Sequence, residues 1–238
     1  MARRSSDSEA GRRSRPLRRG TEGAGATDAS TPPLSVALPK GRLLEALEPL
    51  LRSAGLPTAI LRQPGRALLR DDPRGGYRYL LLKPDDVPTY VEHGTCEVGF
   101  VGRDVLMERG HDLYCPVDLG VGRCRIVLAG PAHGRPPPAQ PRVATKYVNV
   151  TQSWFAARGQ PMHLIALSGS VELAPLSGLA DLVVDIVETG ETLRQNHLAV
   201  LETICDVSAV MVVNRSALKL RRARILPLIR SVRAASRT

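Results

Sequence analysis

Residue type and spacing point most strongly to a ligand site in Asp185-Ile186-Val187-Glu188-Thr189-Gly190-Glu191-Thr192-Leu193. An apolar strand over Leu182–Val187 runs into a tight loop containing Gly190, and a helix is predicted to begin near Thr192. N–H groups at a helix start lack intrahelical acceptors, and the helix dipole favours negative charge there, so an anion fits. The Thr189 and Thr192 hydroxyls can donate to phosphate oxygens, and Gly190 lets the backbone come close. Asp185, at the strand's carboxyl end, can accept from ribose hydroxyls. Glu188 and Glu191 tolerate an anion only if their side chains turn away while the main chain binds. Taken alone, the pattern also describes an ordinary strand-loop-helix with Thr192 as the helix cap.

A second turn, Pro39-Lys40-Gly41-Arg42, sets two cations at a helix N-terminus, where the dipole disfavours them. An anion held between Lys40 and Arg42 accounts for that placement; two solvated charges in a turn is the plain alternative. In Gly120-Val121-Gly122-Arg123-Cys124-Arg125, Arg123 reads either as a cleft-facing cation or as a surface arginine. Gly169-Ser170-Val171-Glu172 carries a carboxylate that can hold a ribose hydroxyl or a metal-bound water, or simply cap its loop. Lys83 is a candidate nucleotide contact, while Asp85 or Asp86 beside it reads as a helix cap. His93, His111, His163 and His197 lack metal-ligand spacing, and no G-x-S-x-G or Cys–His pattern offers a covalent nucleophile.

The elements that must position these residues alternate along the chain. Strands are predicted at Leu34–Leu38, Tyr79–Leu82 and Glu97–Val101, with helices from Leu43 to Gly55, over Asp86–His93 and over Val105–Arg109. After the strand Cys124–Leu128 comes Pro131–Pro141, where five of eleven residues are proline; such a stretch reads as a connection. The pattern then restarts: strands at Val143–Thr145, His163–Leu167 and Leu182–Val187, helices at Thr151–Arg158 and from Thr192 to Asn196. Strands at Ala199–Ile204 and Ala209–Val213 precede one amphipathic basic helix, Ser216–Val232. The alternation predicts α/β units around mainly parallel sheets, two of them, with a cleft between.

Bulk properties narrow the partners. Of the net charge of +10, seven arginines and four acids in Met1–Pro33 supply +3, leaving +7 on the rest. Aromatics are 3% of the chain, too few for a base-stacking platform, so nucleic acid is disfavoured and small polyanions fit better. No apolar run approaches the roughly 18 residues that span a bilayer, and no secretory signal is recognisable. Cys96, Cys115, Cys124 and Cys205 are scattered, which suits a reduced cytoplasmic setting. Met1–Pro33 is polar, Arg-rich and expected to be disordered.

Five stretches extend the case beyond single motifs: LSVALPKGRLLEAL, KPDDVPTYVEHGTCEVGFVGRDVL, VDLGVGRCRIVLAGP, RVATKYVNVTQSWFAARG and LSGSVELAPLSGLADLVVDIVETGETLRQNHL. In this order, from Leu34 to about Ile229, they resemble the short form of ATP phosphoribosyltransferase, the first enzyme of histidine biosynthesis. Lys83 stands where that family more often has arginine, and Glu97 where it has aspartate.

The resemblance implies a fold similar to type II periplasmic binding proteins, with two α/β domains and a double crossover. Domain I would comprise 34–122 and 203–232, domain II 123–202, with 1–33 and 233–238 as tails. Glu188, Thr189, Gly190, Glu191 and Thr192 would hold phosphoribosyl pyrophosphate, Glu172 and Asp185 its ribose or metal side. Lys40, Gly41, Arg42, Lys83 and Arg123 would hold ATP. Mg²⁺ would travel on the pyrophosphate with no ligand directly from the protein. The chain stops soon after its last helix, which implies no histidine-binding domain of its own. A homodimer or higher assembly is expected, together with a regulatory subunit resembling a histidyl-tRNA synthetase.

Overall fold

The computed structural model describes residues 32–74, 76–133 and 136–237, so the tail expected over 1–33 lies outside the described residues except for Pro32 and Pro33. Two mixed sheets organise the chain. The first has the strand order β2-β3-β1-β4-β11-β5, formed by β1 (Leu34–Pro39), β2 (Leu69–Asp71), β3 (Tyr77–Leu82), β4 (Val98–Gly102), β5 (Tyr114–Asp118) and β11 (Ala209–Val213). The second, β10-β6-β9-β7-β8, contains β6 (Cys124–Pro131), β7 (Arg142–Thr145), β8 (His163–Ala166), β9 (Leu182–Val187) and β10 (Leu198–Val207).

Both sheets are mixed where mainly parallel ones were expected. β1 runs parallel to β3 and β4, and β7 parallel to β8 and β9, but β11, β2, β6 and β10 all pair antiparallel. β11 is antiparallel because it re-enters the first sheet from the second unit, and β2 because it pairs with the next strand, β3, after a short reversal of the chain. β5 leads through 119–123 into the second sheet, and β10 leads back through Ser208 to β11.

Asp118 ties the two crossings together. Its Oδ1 accepts from the Gly120 N–H at 3.0 Å and from the Ser208 hydroxyl at 2.6 Å, and its Oδ2 from Arg103 at 3.3 Å. Burial alone would raise the Asp118 pKa, but the bonds from Ser208, Gly120 and Arg103 bring it below the ordinary value.

Helices cover the sheets in the places their apolar spacing dictates. On α1 (Arg42–Ser53), Leu47, Leu50 and Leu51 are buried at helical spacing. They meet Ile225, Leu228, Ile229 and Val232 of α8 (Arg222–Ala235) over β1, β4 and β11. Each such side chain contributes about 1.5–3 kcal/mol by leaving water. Val87 and Val91 of α2 (Val87–Glu92) and Val105 of α3 (Arg103–Arg109) seal the other face of that sheet. In the second unit, Trp154 and Phe155 of α4 (Val148–Ala157) pack on Ile126, Val143 and Val184, while α5 (Leu173–Leu176) and α6 (Glu191–Gln195) cover the opposite face.

Several boundaries differ from the sequence reading, four of them near the crossings or the ends of helices. β10 runs to Val207 and stays paired with β6, so 203–207 belong with the second sheet rather than with domain I. Its register shifts between Val200 and Glu202 and between Thr203 and Cys205, which breaks the alternation that would have shown its length. The single helix expected over Ser216–Val232 is two, α7 (Arg215–Leu220) and α8, parted where Arg221 leaves helical geometry. There its guanidinium bonds to Glu97 and to the carbonyls of Pro32 and Pro33. α8 also continues to Ala235, so most of the tail expected over 233–238 is helical or directly follows helix. α4 begins at Val148, three residues before the expected start.

Candidate active site

A cleft of about 650 Å³ lies between the sheets, with residues of both lining it. From the first unit come Lys40 and Arg42 at the start of α1, Asp85, Asp104 of α3 and Arg123 of the crossing. From the second come Lys146, Tyr147, Glu172, Asp185 and all of Glu188–Thr192. Gly41 takes φ 84°, a left-handed conformation that glycine adopts without a Cβ clash, and this turns the chain from β1 into α1. Lys40 and Arg42 are thereby held exposed at the N-terminus of a twelve-residue helix. Arg123 is fixed by its Nε–H donating to the Gly120 carbonyl at 3.0 Å.

The loop after β9 is built around Gly190, whose φ of 80° forms the N-cap of α6. A Cβ there would meet its neighbours no closer than 3.5 Å, so glycine is required by backbone angle and not by crowding. Thr189 Oγ1 accepts from the Glu191 N–H at 3.4 Å. The N–H groups of Thr192 and Leu193 have no acceptor among the described residues. Glu191 pairs with Arg194 at 2.6 Å and with Gln195 at 3.0 Å, which satisfies its carboxylate away from the main-chain donors. α6 has only five residues, so the loop's anion capacity rests on individual N–H groups and hydroxyls more than on a helix dipole.

Asp185 lines the cleft, and its Oδ1 is buried with no hydrogen-bond partner among the described residues. Burial is the main reason its carboxyl titrates above the ordinary aspartate value; the Ile186 N–H and Lys146 oppose the shift, and the charge of Glu172 adds to it. Lys146 and Tyr147 reach this place because Thr145, fully buried at the end of β7, is bonded in both directions. Its hydroxyl donates to the Val184 carbonyl at 2.8 Å and accepts from the Tyr147 N–H at 2.8 Å. Lys146 Nζ then lies 4.7 Å from the centre of the Tyr147 ring, and the Tyr147 hydroxyl donates to Asp104 Oδ2 at 2.9 Å. Burial and the Asp104 carboxylate push the Tyr147 hydroxyl far above the usual tyrosine range, so it is a fixed donor.

The model of the family described as ATP phosphoribosyltransferase (HisG) matches residues 83–234, more than half of the chain. A protein of that name from Sorangium cellulosum is 53% identical over 206 residues, covering 87% of this chain and 97% of its own. The chain belongs to the ATP phosphoribosyltransferase family. Among solved structures, the ATP phosphoribosyl transferase (HisG:HisZ) complex from Thermotoga maritima matches with a TM-score of 0.74 and 36% identity, over 86% of this chain and 98% of that one. The B. pertussis BvgS periplasmic domain shares the fold at a TM-score of 0.55 and 16% identity, over 86% of this chain and 39% of that one.

Of the residues singled out from sequence, this ATP phosphoribosyltransferase family member brings Lys40, Arg42, Arg123, Glu172, Asp185 and the loop Glu188–Thr192 around one cleft. Two are not part of its lining. Gly41 contributes through its backbone angle, and Lys83 stands just outside, since the lining begins at the next residue, Pro84. Sequence reasoning misses Asp104, Lys146 and Tyr147. Thr145-Lys146-Tyr147 follows a strand and precedes a helix, as Lys40 and Arg42 do, and that parallel is the signal by which two of the three could be found.

Proposed function

We propose that this chain transfers the phosphoribosyl group of phosphoribosyl pyrophosphate to N1 of the adenine of ATP, releasing pyrophosphate, as the first step of histidine biosynthesis. The observation that carries the reading is one cleft with phosphate-binding chemistry on both walls: cations at the start of α1 on one side, the Gly190 loop on the other. Membership of the ATP phosphoribosyltransferase family supports it.

In this reading the 5-phosphate rests on the N–H groups of the loop Glu188–Thr192 and on the hydroxyls of Thr189 and Thr192. Asp185 and Glu172 accept from the ribose hydroxyls. Lys40, Arg42 and Arg123 take the phosphates of ATP, and Lys146 adds a fourth cation facing Asp185. The bond that forms joins N1 to the anomeric carbon; the bond that breaks releases pyrophosphate with its electron pair. The chain's part is alignment and charge stabilisation, and alignment alone supplies roughly 7–11 kcal/mol in favourable cases.

Mg²⁺ bound to the pyrophosphate oxygens would lower the charge of the leaving group. Asp185, with a buried oxygen lacking a partner, and the neighbouring Glu172 form an oxygen donor set suited to a hard cation. Among the described residues no group of three His, Cys, Asp or Glu could hold a metal, so the remaining ligands would be oxygens of the substrate.

A regulatory subunit of the HisZ kind is proposed as partner, on the likeness to the Thermotoga maritima HisG:HisZ complex, along with self-association of the catalytic chain. No helix among the described residues is long and apolar enough to cross a membrane, and the cytoplasm is the proposed location. Incubating the full chain with ATP, phosphoribosyl pyrophosphate, Mg²⁺ and a HisZ-type partner should release pyrophosphate only when both substrates are present. Pyrophosphate release independent of ATP, or none at all, contradicts the reading.

A further inference from the structure

The two walls of the cleft belong to different sheets, so their separation depends on the angle between the units. Besides the two crossings, a seam between α3 and α4 spans that angle. Asp104 and Glu108 stand four residues apart on α3 and therefore on one face. Both of their carboxylates are taken up by the other unit. The Tyr147 hydroxyl donates to Asp104 at 2.9 Å. Glu108 accepts from the Asn149 N–H at 3.0 Å and from the Val150 N–H at 3.2 Å, while Asn149 Nδ2 donates to the Glu108 carbonyl at 2.8 Å.

This seam does for α4 what α4 does not do for itself. Its N-cap position is Tyr147, whose side chain makes no capping bond to the helix. Two open donors of its first turn, the Asn149 and Val150 N–H groups, are satisfied by a carboxylate of the first unit, so separating the units uncaps the helix there. Asp104 and Tyr147 also line the cleft, whereas Glu108 does not.

We propose that Glu108 and Tyr147 are positioning residues that hold the two units at the angle at which the cleft takes both substrates at once. The proposal rests on the reading that the cleft binds phosphoribosyl pyrophosphate and ATP together. It has a signature that a direct ligand contact lacks. Loosening the seam lowers the fraction of chains at the competent angle, and both apparent affinities fall by that same fraction.

The test is Glu108→Ala in the full chain with its partner, followed by equilibrium titration with each substrate alone, steady-state kinetics and amide hydrogen exchange. Exchange at Asn149 and Val150 should quicken by about tenfold as the charged acceptor is lost. The dissociation constants of ATP alone and of phosphoribosyl pyrophosphate alone should rise by one common factor of about three- to tenfold, with kcat at saturation of both retained. Tyr147→Phe keeps the ring beneath Lys146, loses only the hydroxyl, and should raise both single-substrate dissociation constants by one common factor. Faster exchange with both single-substrate dissociation constants unchanged overturns the proposal, because Glu108 is then only a helix cap. A rise for one substrate alone overturns it too, because that marks a direct contact. If the wild-type chain makes no phosphoribosyl-ATP, the reading of the activity fails separately. Small-angle scattering then decides the seam: a larger radius of gyration for Glu108→Ala supports it, and an unchanged one overturns it.

Discussion

The Thr145 hydroxyl joins the Val184 carbonyl to the Tyr147 N–H, at 2.8 Å on each side, and so fixes the Lys146–Tyr147 turn to the strand that carries Asp185. A fully buried side chain with both bonds made leaves little freedom in where Lys146 sits relative to that carboxylate. Thr145→Val keeps the shape but strips the Tyr147 N–H of its acceptor. The expected loss is about 1–3 kcal/mol of unfolding free energy in a urea titration. Thr145→Ser, which restores the hydroxyl, should recover most of it.

The cations at the start of α1 should act on binding and not on folding. Lys40 and Arg42 are exposed, and no ion pair of theirs occurs among the described residues. Lys40→Ala and Arg42→Ala are each expected to raise KM for ATP by about tenfold or more, as loss of a charged hydrogen bond implies. Unfolding midpoints should shift by less than about 0.5 kcal/mol equivalent. Lys83→Ala serves as the contrast: it lies outside the cleft lining, so both KM values should stay as in the parent.

Asp185 trades stability for chemistry. Burial raises its folded-state pKa above the value of 3.8 from which it starts, so the folded chain binds that proton more tightly than the unfolded chain does. Its contribution is therefore fully present below about pH 3.9 and is lost as pH rises through the raised folded value. Above that window the native state carries a buried charge. Asp185→Asn should accordingly be more stable than the parent at neutral pH, with the difference vanishing in acid, while turnover falls. Denaturant titrations of both proteins across pH check the sign.

At Gly190 the backbone angle can be separated from side-chain bulk. With φ at 80° and no close neighbour to a Cβ, Gly190→Asn, whose side chain tolerates the left-handed region, should retain most function. Gly190→Val costs about 1–2 kcal/mol in strain there and is expected to raise KM for phosphoribosyl pyrophosphate, as measured by initial rates. Equal kinetics in both variants would remove the loop from the site.

The features of this site differ in how far they can be read from the chain. The run Leu182–Val187 is apolar and is followed closely by a glycine, so strand, loop and following helix are all legible in the residues themselves. Lys40 and Arg42 are legible too, because cations at a helix N-terminus are locally unfavourable and invite an explanation. Lys146 and Tyr147 are legible only in part: their strand-to-helix turn shows in the residues, but their place beside Asp185 depends on Thr145 bonding to a strand 39 residues away. β5 is hidden because its residues are mostly exposed and alternate poorly, and the bulges in β10 hide its last three residues in the same way. The antiparallel pairing of β11 is hidden as well: it follows from the order in which the chain crosses between sheets, which no local pattern encodes.

In the proposed function, one cleft brings the adenine ring to the anomeric carbon of the sugar. ATP labelled with ¹⁵N at N1, incubated with phosphoribosyl pyrophosphate, Mg²⁺, the full chain and its partner, tests that most directly. The product should show the labelled nitrogen coupled to the ribose anomeric carbon, and Asp185→Asn should form far less of it. A product joined at another nitrogen, or no joined product, contradicts the account.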